Sequence, residues 1–563
     1  MKHDSHTRRR AAGTILFLLL LTLFACARAA KAPVLFVSPD GEYGPRAIRL
    51  MAVERKGTYL FLPGSVNLSE WKIGWTGAER VTLNGADLGE KPAADLLLDQ
   101  NEVSFDGKKA TAFDVLRGSP GLPALYITTE TGKLDKIHSP RKIKEPGYLC
   151  MTDGDGNTLY DGKLAHMKLR GNSSATYPKK NYQLKLETGT DLLGFGKAKR
   201  WILTGSWLDR TFIRNQLTYD LAYYIGCPFT PQHQQVEVYV NHEYLGLFLF
   251  SEKVEINEGR IEIRNLEKET EKLNDKALSE YKRAKSRKTG RSSWKAWNIP
   301  NDPEDLTGGY LIEYEKQKGR YKPEPSGFTT RRNVFVILKS PEYATKAQML
   351  YISAFMQGFE NAIHAGDGLD PDTGKHWSEF VDRDSLVLKY MVNEFSQNYD
   401  GNISSEFFYK PPDTVSKVAI AGPVWDMDNT YAAYARNYNK DQISSPRGLF
   451  IAGAGENRYW WPNLYKHDDF RLRLRELYEE RFRTAVKILF GQAEDPEGRL
   501  RSLDAYTEEI AASAEMNFVR YPFMKNPWSD IDTGATFADN IAYLRDFMQQ
   551  RAAWLETAWL EGE

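Results

Sequence analysis

The sequence predicts an α+β protein in which a small β-rich module precedes a larger domain of strands followed by helices. From Pro33 to about Leu116, turn residues interrupt short alternating runs such as "GTYLFLPGSV" and "RVTLNG", a spacing typical of a small β-sandwich. Paired strands are then indicated by "LAHMKLRGNSS", "KKNYQLKLE" and "VEVYVNHEYLGLFLFSEKVE", and helical patterns dominate beyond Gln348. We therefore expect a β-sandwich module over residues 31–135 and a second domain over residues 136–563.

The composition favours a folded chain without a polyanionic partner. An apolar content of 41% and an aromatic content of 12% suffice for a sizeable core. The 75 basic residues match the 75 acidic residues, so no global field attracts nucleic acid. We expect no nucleic-acid partner.

The first 30 residues read as a secretion signal. A basic start, "MKHDSHTRRR", precedes the apolar run "ILFLLLLTLF", and "ACARAA" offers a cleavage site, for instance after Ala29. The run is too short to cross a bilayer, which needs about 20 residues. We expect an extracytoplasmic protein with no integral membrane span after cleavage. The segment "LFAC" also resembles a lipobox, which would leave a lipid anchor at Cys26.

Two cysteines remain after cleavage, Cys150 and Cys227. In an oxidising compartment they could form one disulfide, but buried free thiols are equally compatible with the sequence. They are too few for a structural zinc site.

A basic hairpin is predicted over residues 168–187, "KLRGNSSATYPKKNYQLKLE". Lys168 and Arg170 share one face of the first strand, and Lys185 lies on the polar face of the returning strand. The loop adds the backbone amides of Gly171, Asn172 and Ser173, so the hairpin could clamp a phosphate. The alternative is a polar hairpin with a solvated basic face.

A buried-looking hairpin follows an amphipathic helix. The helix, "DRTFIRNQLTYDLAYYIG", is expected to end at Gly226, and the hairpin turns at Asn241-His242. Glu252 ends the second hydrophobic arm. It could pair with a lysine and fix that lysine against a nucleotide, or it could be only a strand-end charge.

Residues 264–306 contain the charged run "EKETEKLNDKALSEYKRAKSRKTGRSSWK". Such composition predicts a solvated insertion, helical or disordered, and less plausibly a basic docking surface for a target. Strand character resumes at "GGYLIEYEK".

Two acidic features lie near the end of the strand pattern. Asp400, in "NYDGNISSEFFYK", sits in an Asp-Gly turn between a helix and a strand. A loop aspartate there could also act as the general base for a hydroxyl nucleophile. Asp426 and Asp428, in "PVWDMDNTYA", would point the same way in extended structure and could hold one Mg²⁺.

Two phosphate chemistries compete for this acidic pair. The string "DMDNT" fits the D-x-D-x-T signature of haloacid-dehalogenase-type phosphatases, in which the first aspartate attacks phosphorus. That fold places the motif on the first strand of an alternating strand–helix domain, whereas hundreds of residues precede it here.

A kinase-like order fits the chain better. Phosphoryl transfer needs a cation for phosphate, a base for the acceptor hydroxyl and an acid for Mg²⁺. Basic strands, Glu252, Asp400 and the Asp426/Asp428 pair follow in that order, with 26 residues from Asp400 to Asp426. Neither "GxGxxG" nor "HRD" occurs, which excludes an ordinary protein kinase.

A set of blocks resembles the spore-coat CotH kinase family over roughly residues 140–560. The blocks are "LRGNSSATYPKKNYQLKL", "WILTGSWLDRTFIRNQLTYDLA", "VYVNHEYLGLFLFSEKVE", "GGYLIEYEK", "NYDGNISSEFFYK" and "PVWDMD". The resemblance implies an atypical secreted protein-kinase-like fold with a β-rich N-lobe and a helical C-lobe. It implies transfer of the ATP γ-phosphate to serine or threonine of a protein substrate, with Mg²⁺ or Mn²⁺.

The resemblance also implies roles for individual residues. Asp400 looks like the catalytic-loop acid, and Asp426 and Asp428 look like the metal-binding acids. For the nucleotide-pairing cation, Lys185 comes first, with Lys180 and Arg170 as alternates and Glu252 as partner.

Three departures from the family pattern concern local geometry. Val424 separates Pro423 from the Trp-Asp unit, Glu406 replaces a common small or amide residue, and the charged segment is long.

A different class of function uses the same scaffold. ATP is scarce outside the cytoplasm, and the front β-module resembles a binding unit. A non-catalytic surface protein, either an adhesin or an assembly factor, is therefore the alternative to a kinase.

Overall fold

The computed structural model describes residues 32–89, 91–139, 143–285, 292–433, 435, 440–455, 459–522, 524 and 531–561. The predicted secretion signal and Cys26 lie outside these residues. The described chain is mixed α+β, as expected, and divides into two units. Within the described ranges, no helix has both the length and the apolar character needed to cross a membrane.

Among the described residues, the first unit comprises 32–62, 66–117 and 242–244. Its strands form a three-stranded sheet in the order β2-β1-β5 and a six-stranded sheet in the order β3-β4-β9-β8-β6-β7. The pairing is antiparallel except between the fourth and ninth strands, which run parallel. The strands are β1 Val34–Ser38, β2 Ile48–Arg49, β3 Met51–Val53, β4 Gly57–Leu62, β5 Lys72–Thr76, β6 Val81–Leu83, β7 Ala86–Asp87, β8 Gln100–Phe105 and β9 Thr111–Arg117.

Seven strands of the second unit close into a cylinder, in the order β10-β11-β12-β13-β14-β16-β15. The pair that closes the cylinder, β10 and β15, is parallel. Apolar side chains such as Met167, Leu184 and Phe250 fill the interior of the cylinder. The strands are β10 Ala124–Thr129, β11 Lys144–Thr152, β12 Thr158–Arg170, β13 Asn181–Asp191, β14 Lys197–Thr204, β15 His233–Val240 and β16 Glu243–Glu252.

The second unit also contains an antiparallel sheet of six strands. Its order is β17-β19-β20-β18-β21-β22. Because the central strand β18 is paired on both sides, its neighbours hold its side chains in fixed register. The strands are β17 Ser293–Lys295, β18 Tyr310–Glu315, β19 Gly327–Thr329, β20 Phe335–Ser340, β21 Glu406–Lys410 and β22 Ile420–Ala421.

Helices supply most of the remaining described chain beyond residue 345, as the periodicity predicts. A five-residue π-helical stretch, Tyr478–Phe482, joins α9 to α10. The helices are α1 Asp135–His138, α2 Arg214–Tyr224, α3 Leu266–Lys272, α4 Lys318–Tyr321, α5 Lys346–His364, α6 Arg383–Phe395, α7 Lys440–Ser444, α8 Trp460–Leu464, α9 Asp468–Leu477, α10 Arg483–Leu489, α11 Leu503–Arg520 and α12 Phe537–Glu561.

Several local predictions match the structure. The basic hairpin forms from β12 and β13, and the turn at Asn241-His242 has φ values of 52° and 73°, as a tight two-residue hairpin requires. Helix α2 stops just before Gly226, whose φ of 91° suits glycine. The helix is buried nearly all round, however, and is not amphipathic.

Two boundaries differ from the expected ones. The main segment of the first unit ends at Arg117, before the expected boundary at residue 135, and β10, which lies between these two positions, pairs with β11 in the cylinder. The charged segment is not merely solvated, because its described part contains α3 and β17 and buries Leu266, Leu278 and Ala296.

Cys150 and Cys227 do not form a disulfide with each other. Cys150 and Cys227 are buried, which is the alternative that composition alone left open. Burial raises the pKa of the Cys227 thiol to about 12, so this thiol stays protonated at neutral pH.

Candidate functional site

The outer face of the cylinder carries a basic strip formed by Lys144, Lys168, Lys185, Arg200 and Arg170. Cross-strand register places Lys144 opposite Lys168 and Lys185 opposite Arg200. Burial lowers the pKa of Lys168, and the charges of Lys144, Arg170 and Arg200 lower it further. Like charges on one face repel each other, so the strip is suited to an anionic ligand.

Lys185 and Glu252 lie on opposite faces of the sheet. Lys185 is opposite Arg200, whereas Glu252 is opposite the next residue, Trp201, whose ring is in the interior. Successive residues of a strand point to opposite faces, so the expected pair cannot form. Glu252 instead approaches Arg260, with 3.5 Å from Oε1 to Nε.

The other hairpin candidates occupy the turn. Lys180 donates to the carbonyl oxygens of Ala175 and Tyr177, at 3.1 and 2.8 Å, so its ammonium group closes the turn itself. Asn172 and Ser173 are exposed. Of the hairpin residues named for the site, Arg170 is the one that the structure brings to the predicted acids.

Asp400 lies in the connection from α6 to β21. Its backbone nitrogen donates to Asn398 Oδ1 at 3.0 Å, and its carbonyl oxygen accepts from the nitrogens of Ile403 and Ser404 at 2.7 and 2.9 Å. These bonds fix the turn through the main chain. No described residue is seen to donate a hydrogen bond to the Asp400 carboxylate, so this group is available for other partners.

The loop that carries Asp426 and Asp428 is fastened to helix α2. The Asp426 nitrogen donates to the Tyr219 hydroxyl at 3.1 Å, and the Met427 nitrogen donates to Asn215 Oδ1 at 2.7 Å. Asp426 has a φ of 65°, so the pair sits in a tight loop and not in the extended segment that the sequence predicted. Anchoring by a buried helix gives these carboxylates a fixed position.

The three aspartates share one recess. Burial raises the pKa of Asp400 to about 7, and the charge of Asp426 is the next largest cause. Burial also raises the pKa of Asp428 well above its usual value, with further increases from Asp426, Asp209 and Asp400. Each carboxylate therefore opposes the ionisation of its neighbours, and carboxylates with pKa values raised in this way are more frequent at binding and catalytic sites than elsewhere.

Two arginines offset part of this negative charge. The Arg170 guanidinium lies 4.9 Å from the centre of the Trp425 ring. Burial raises the pKa of Asp426, whereas the nearby charges of Arg170 and Arg320 lower it. Arg320 also lowers the pKa of Asp400. Basic hairpin and acidic turn thus meet in one recess.

Four further residues lie in the recess and were not predicted from the sequence: Glu313, Arg320, Lys339 and Ser405. Ser405 Oγ donates to Asp426 Oδ2 at 3.2 Å, and Glu313 Oε2 lies 3.3 Å from Lys339 Nζ. Arg320 completes the set. The alternation in "YLIEYEK", which puts Glu313 and Glu315 on one face of an apolar strand, was a usable signal; Ser405 and Arg320 had none.

Glu406, the departure from the family pattern, has a structural role. Its carboxylate lies 3.1 Å from Lys389 Nζ and accepts from Asn393 Nδ2 at 2.8 Å. All three side chains are buried, so Glu406, the first residue of β21, links this strand to helix α6.

The residues present fit a hard divalent cation bound together with a phosphate. Within the described ranges, no three acidic, histidine or cysteine side chains stand close enough to enclose a metal by themselves. Mg²⁺ is usually held by one or two carboxylates plus substrate phosphates, which is what Asp426 and Asp428 can offer.

The topology argues against the phosphatase interpretation of "DMDNT". Asp426 follows β22, which is the edge strand of an antiparallel sheet. The haloacid-dehalogenase-type arrangement requires a first strand followed by alternating helices and parallel strands. The local string matches, but its structural setting does not.

Comparison with known proteins places the chain in a family. No curated protein matches it. The family described as CotH kinase protein matches residues 167–555, more than half of the chain. That stretch contains the basic hairpin, the Asp400 turn and the Asp426–Asp428 loop, which are the features that meet in the recess. The chain therefore belongs to the CotH kinase protein family.

Proposed function

We propose that this protein is an extracytoplasmic protein kinase that transfers the γ-phosphate of ATP to serine or threonine of another protein. The observation that supports the proposal most strongly is the meeting of Asp400, Asp426 and Asp428 with Arg170 in one recess. Mutually repelling carboxylates beside a cation are the parts that phosphoryl transfer requires.

The triphosphate would lie along the basic strip. Lys168 and Lys185 are half-buried, and no ion pair with a described acid is seen for either lysine. On the same face, the Ser251 hydroxyl is buried without a described hydrogen-bond partner. Unmatched cations and an unused hydroxyl suit phosphate or ribose oxygens. Lys185 is our first candidate for the phosphate contact, and Arg170 is the cation nearest to the acids.

Asp426 and Asp428 would hold Mg²⁺ or Mn²⁺ on the phosphate side of the recess. A bound divalent cation neutralises charge on the phosphate oxygens during transfer. The nearby positive charge would also lower the pKa of Asp400, so that this carboxylate is ionised at neutral pH. Asp400 can then accept the proton of the acceptor hydroxyl as that oxygen attacks.

Phosphate transfer from γ-labelled ATP tests the proposal. Purified protein with Mn²⁺ or Mg²⁺ should label itself or an acidic acceptor such as casein, and Asp400→Ala and Asp426→Asn should each lower labelling about a thousand-fold. Asp155→Asn, which changes an exposed turn residue, is the matched control and should retain full activity. If the wild type neither binds ATP nor transfers phosphate, the proposal is wrong.

Metal binding gives an independent measurement. Mn²⁺ should raise the melting temperature of the wild type and leave that of Asp426→Asn unchanged, since ligands stabilise the state that binds them. An equal shift in both proteins would place the cation elsewhere.

A further inference from the structure

Arg320 is a partly exposed cation next to the acidic recess. Its side chain is 23% exposed, and its Nη1 donates to Ser404 Oγ at 2.5 Å. Glu315 Oε2 is 3.9 Å from Nη1, which is a loose contact. A guanidinium has five N–H donors in a planar fork, so one hydrogen bond and one long ion pair leave much of its binding capacity unused.

The electrostatic effect of Arg320 reaches both halves of the recess. Its charge lowers the pKa of Asp400, our candidate base, and that of Asp426, our candidate metal ligand. The hydrogen bonds place it there as well: its partner Ser404 donates its backbone nitrogen to the Asp400 carbonyl oxygen at 2.9 Å, and the next residue, Ser405, donates to Asp426 Oδ2 at 3.2 Å. The guanidinium therefore lies beside the turn that connects the two carboxylates.

Lys295 stabilises the C-terminal end of the short helix α4, which carries Arg320. The ammonium of Lys295 donates to the carbonyl oxygens of Tyr321, Lys322 and Glu324, at 2.5, 3.2 and 3.3 Å. It also lies 3.7 Å from the centre of the Tyr321 ring. A cation on the last carbonyls of a helix stabilises that end. The charged segment 264–306 thus contributes a support for Arg320.

We propose that Arg320 contacts the γ-phosphate oxygens of the bound nucleotide and that Lys295 is its positioning residue. This inference rests on the proposed kinase function. A planar guanidinium matches two phosphate oxygens at once, which an ammonium group cannot do. Lys295 never touches the phosphate; it fixes the helix from which Arg320 reaches it.

In the transfer step, the acceptor hydroxyl oxygen forms a bond to the γ-phosphorus. The bond from that phosphorus to the bridging oxygen of ADP breaks, and its electron pair leaves with ADP. The hydroxyl proton passes to Asp400. Arg320 donates N–H bonds to the oxygens of the transferred group, on which negative charge is spread during the step.

Comparing the affinities for ATP and for ADP distinguishes contact with the γ-phosphate from a structural role of Arg320. Arg320→Gln should lower the affinity for ATP about 10-fold, which corresponds to about 1.4 kcal/mol, and should leave the affinity for ADP unchanged. It should also lower kcat by about a thousand-fold, within the range known for transfer-stabilising arginines. Arg320→Lys should restore part of kcat. The control is Lys318→Gln, an exposed residue of the same helix, and it should change neither quantity.

The outcomes distinguish this inference from the proposed function. If the wild type transfers phosphate but Arg320→Gln retains its preference for ATP over ADP, the inference is wrong while the kinase stands. Equal weakening of both nucleotides would also overturn it. If the wild type transfers no phosphate, the proposed function fails first.

Lys295→Met tests the positioning role. It should lower kcat about 10-fold with little change in ADP affinity, and combined with Arg320→Gln it should add no further loss, because both act through one guanidinium. Independent, multiplying losses would show that Lys295 acts by another route.

Discussion

Two acidic regions lie six residues apart in the second unit and are built in opposite ways. Glu394, near the end of α6, is fully buried, and its Oε1 lies 2.6 Å from Arg551 Nη2. Its Oε2 also accepts from the nitrogens of Ile451 and Ala452, at 3.1 and 3.0 Å. Asp400 receives no such bonds from the described residues, and its closest acidic influence, Asp426, raises its pKa.

The difference separates a buried charge that its neighbours satisfy from one that the described residues leave without side-chain hydrogen bonds. Glu394 has a counter-ion and several donors, so removing one partner would strand the other charge. Asp400 and its neighbours oppose one another, so the folded state bears an electrostatic cost that a bound cation would relieve. Both residues lie on the same stretch of chain, so the Asp400 turn directly follows the helix end that the Glu394–Arg551 pair anchors.

Neutralising the recess should give the largest effect. Asp426→Asn removes one proposed metal ligand and should lower phosphate transfer about a thousand-fold. Asparagine tolerates the positive φ of this position, and one repelling charge disappears, so the melting temperature should stay the same or rise. A sharp drop in melting temperature together with activity would make Asp426 a structural residue and erase the contrast with Glu394.

Breaking the Glu394–Arg551 pair should instead lower the stability of the fold. Arg551→Met leaves Glu394 buried without its counter-ion and should lower the free energy of unfolding by about 3–5 kcal/mol, measured in urea. Arg483→Met, which removes a half-exposed partner of Glu479 and Glu556, should cost under about 1 kcal/mol. If the two variants lost equal stability, burial of the pair would not matter.

The pH dependence of stability should reveal the unfavourable free energy of ionising Asp400 in the folded protein. Its pKa of about 7 in the folded chain lies above the usual value of 3.8, so ionising it disfavours folding. That penalty is absent below about pH 4, grows as the pH rises toward 7 and is constant above it. Without divalent cations, Asp400→Asn should therefore gain stability over the wild type as the pH increases from 4 to 8. A gap that stays constant across this range would contradict the raised pKa.

Loosening the attachment of the Asp426–Asp428 loop to helix α2 should have the smallest effect on stability and Mn²⁺ affinity. Tyr219→Phe removes the hydroxyl that accepts from the Asp426 nitrogen and should cost about 1 kcal/mol of stability. Apparent Mn²⁺ affinity should fall several-fold, as for a residue that orients a ligand. Tyr223→Phe on the same helix, where the side chain is 40% exposed and the hydroxyl donates only a long hydrogen bond to Glu497 Oε2 at 3.3 Å, should change neither value. A Tyr219→Phe protein with normal Mn²⁺ affinity would show that the loop holds its shape alone.

Local signals predicted much of the fold, because each depends on neighbours in the chain. The alternation around residues 168–187, the turn at Asn241-His242 and the helix end at Gly226 all appear where the pattern placed them. The meeting of Asp400 with Asp426 followed from their order and short separation. The expected partnership of Lys185 with Glu252 was wrong, since one residue of register decides which face a side chain takes.

The sequence by itself determined the elements, the basic hairpin and the candidate acids, since turn chemistry and periodicity act over a few residues. Only the tertiary structure decided which charges meet. Arg320 and Lys295 carry no local signal for their positions, because their partners come from other strands and turns. Coulomb interactions depend on distance in space, and closure of the cylinder and pairing of the second sheet set those distances.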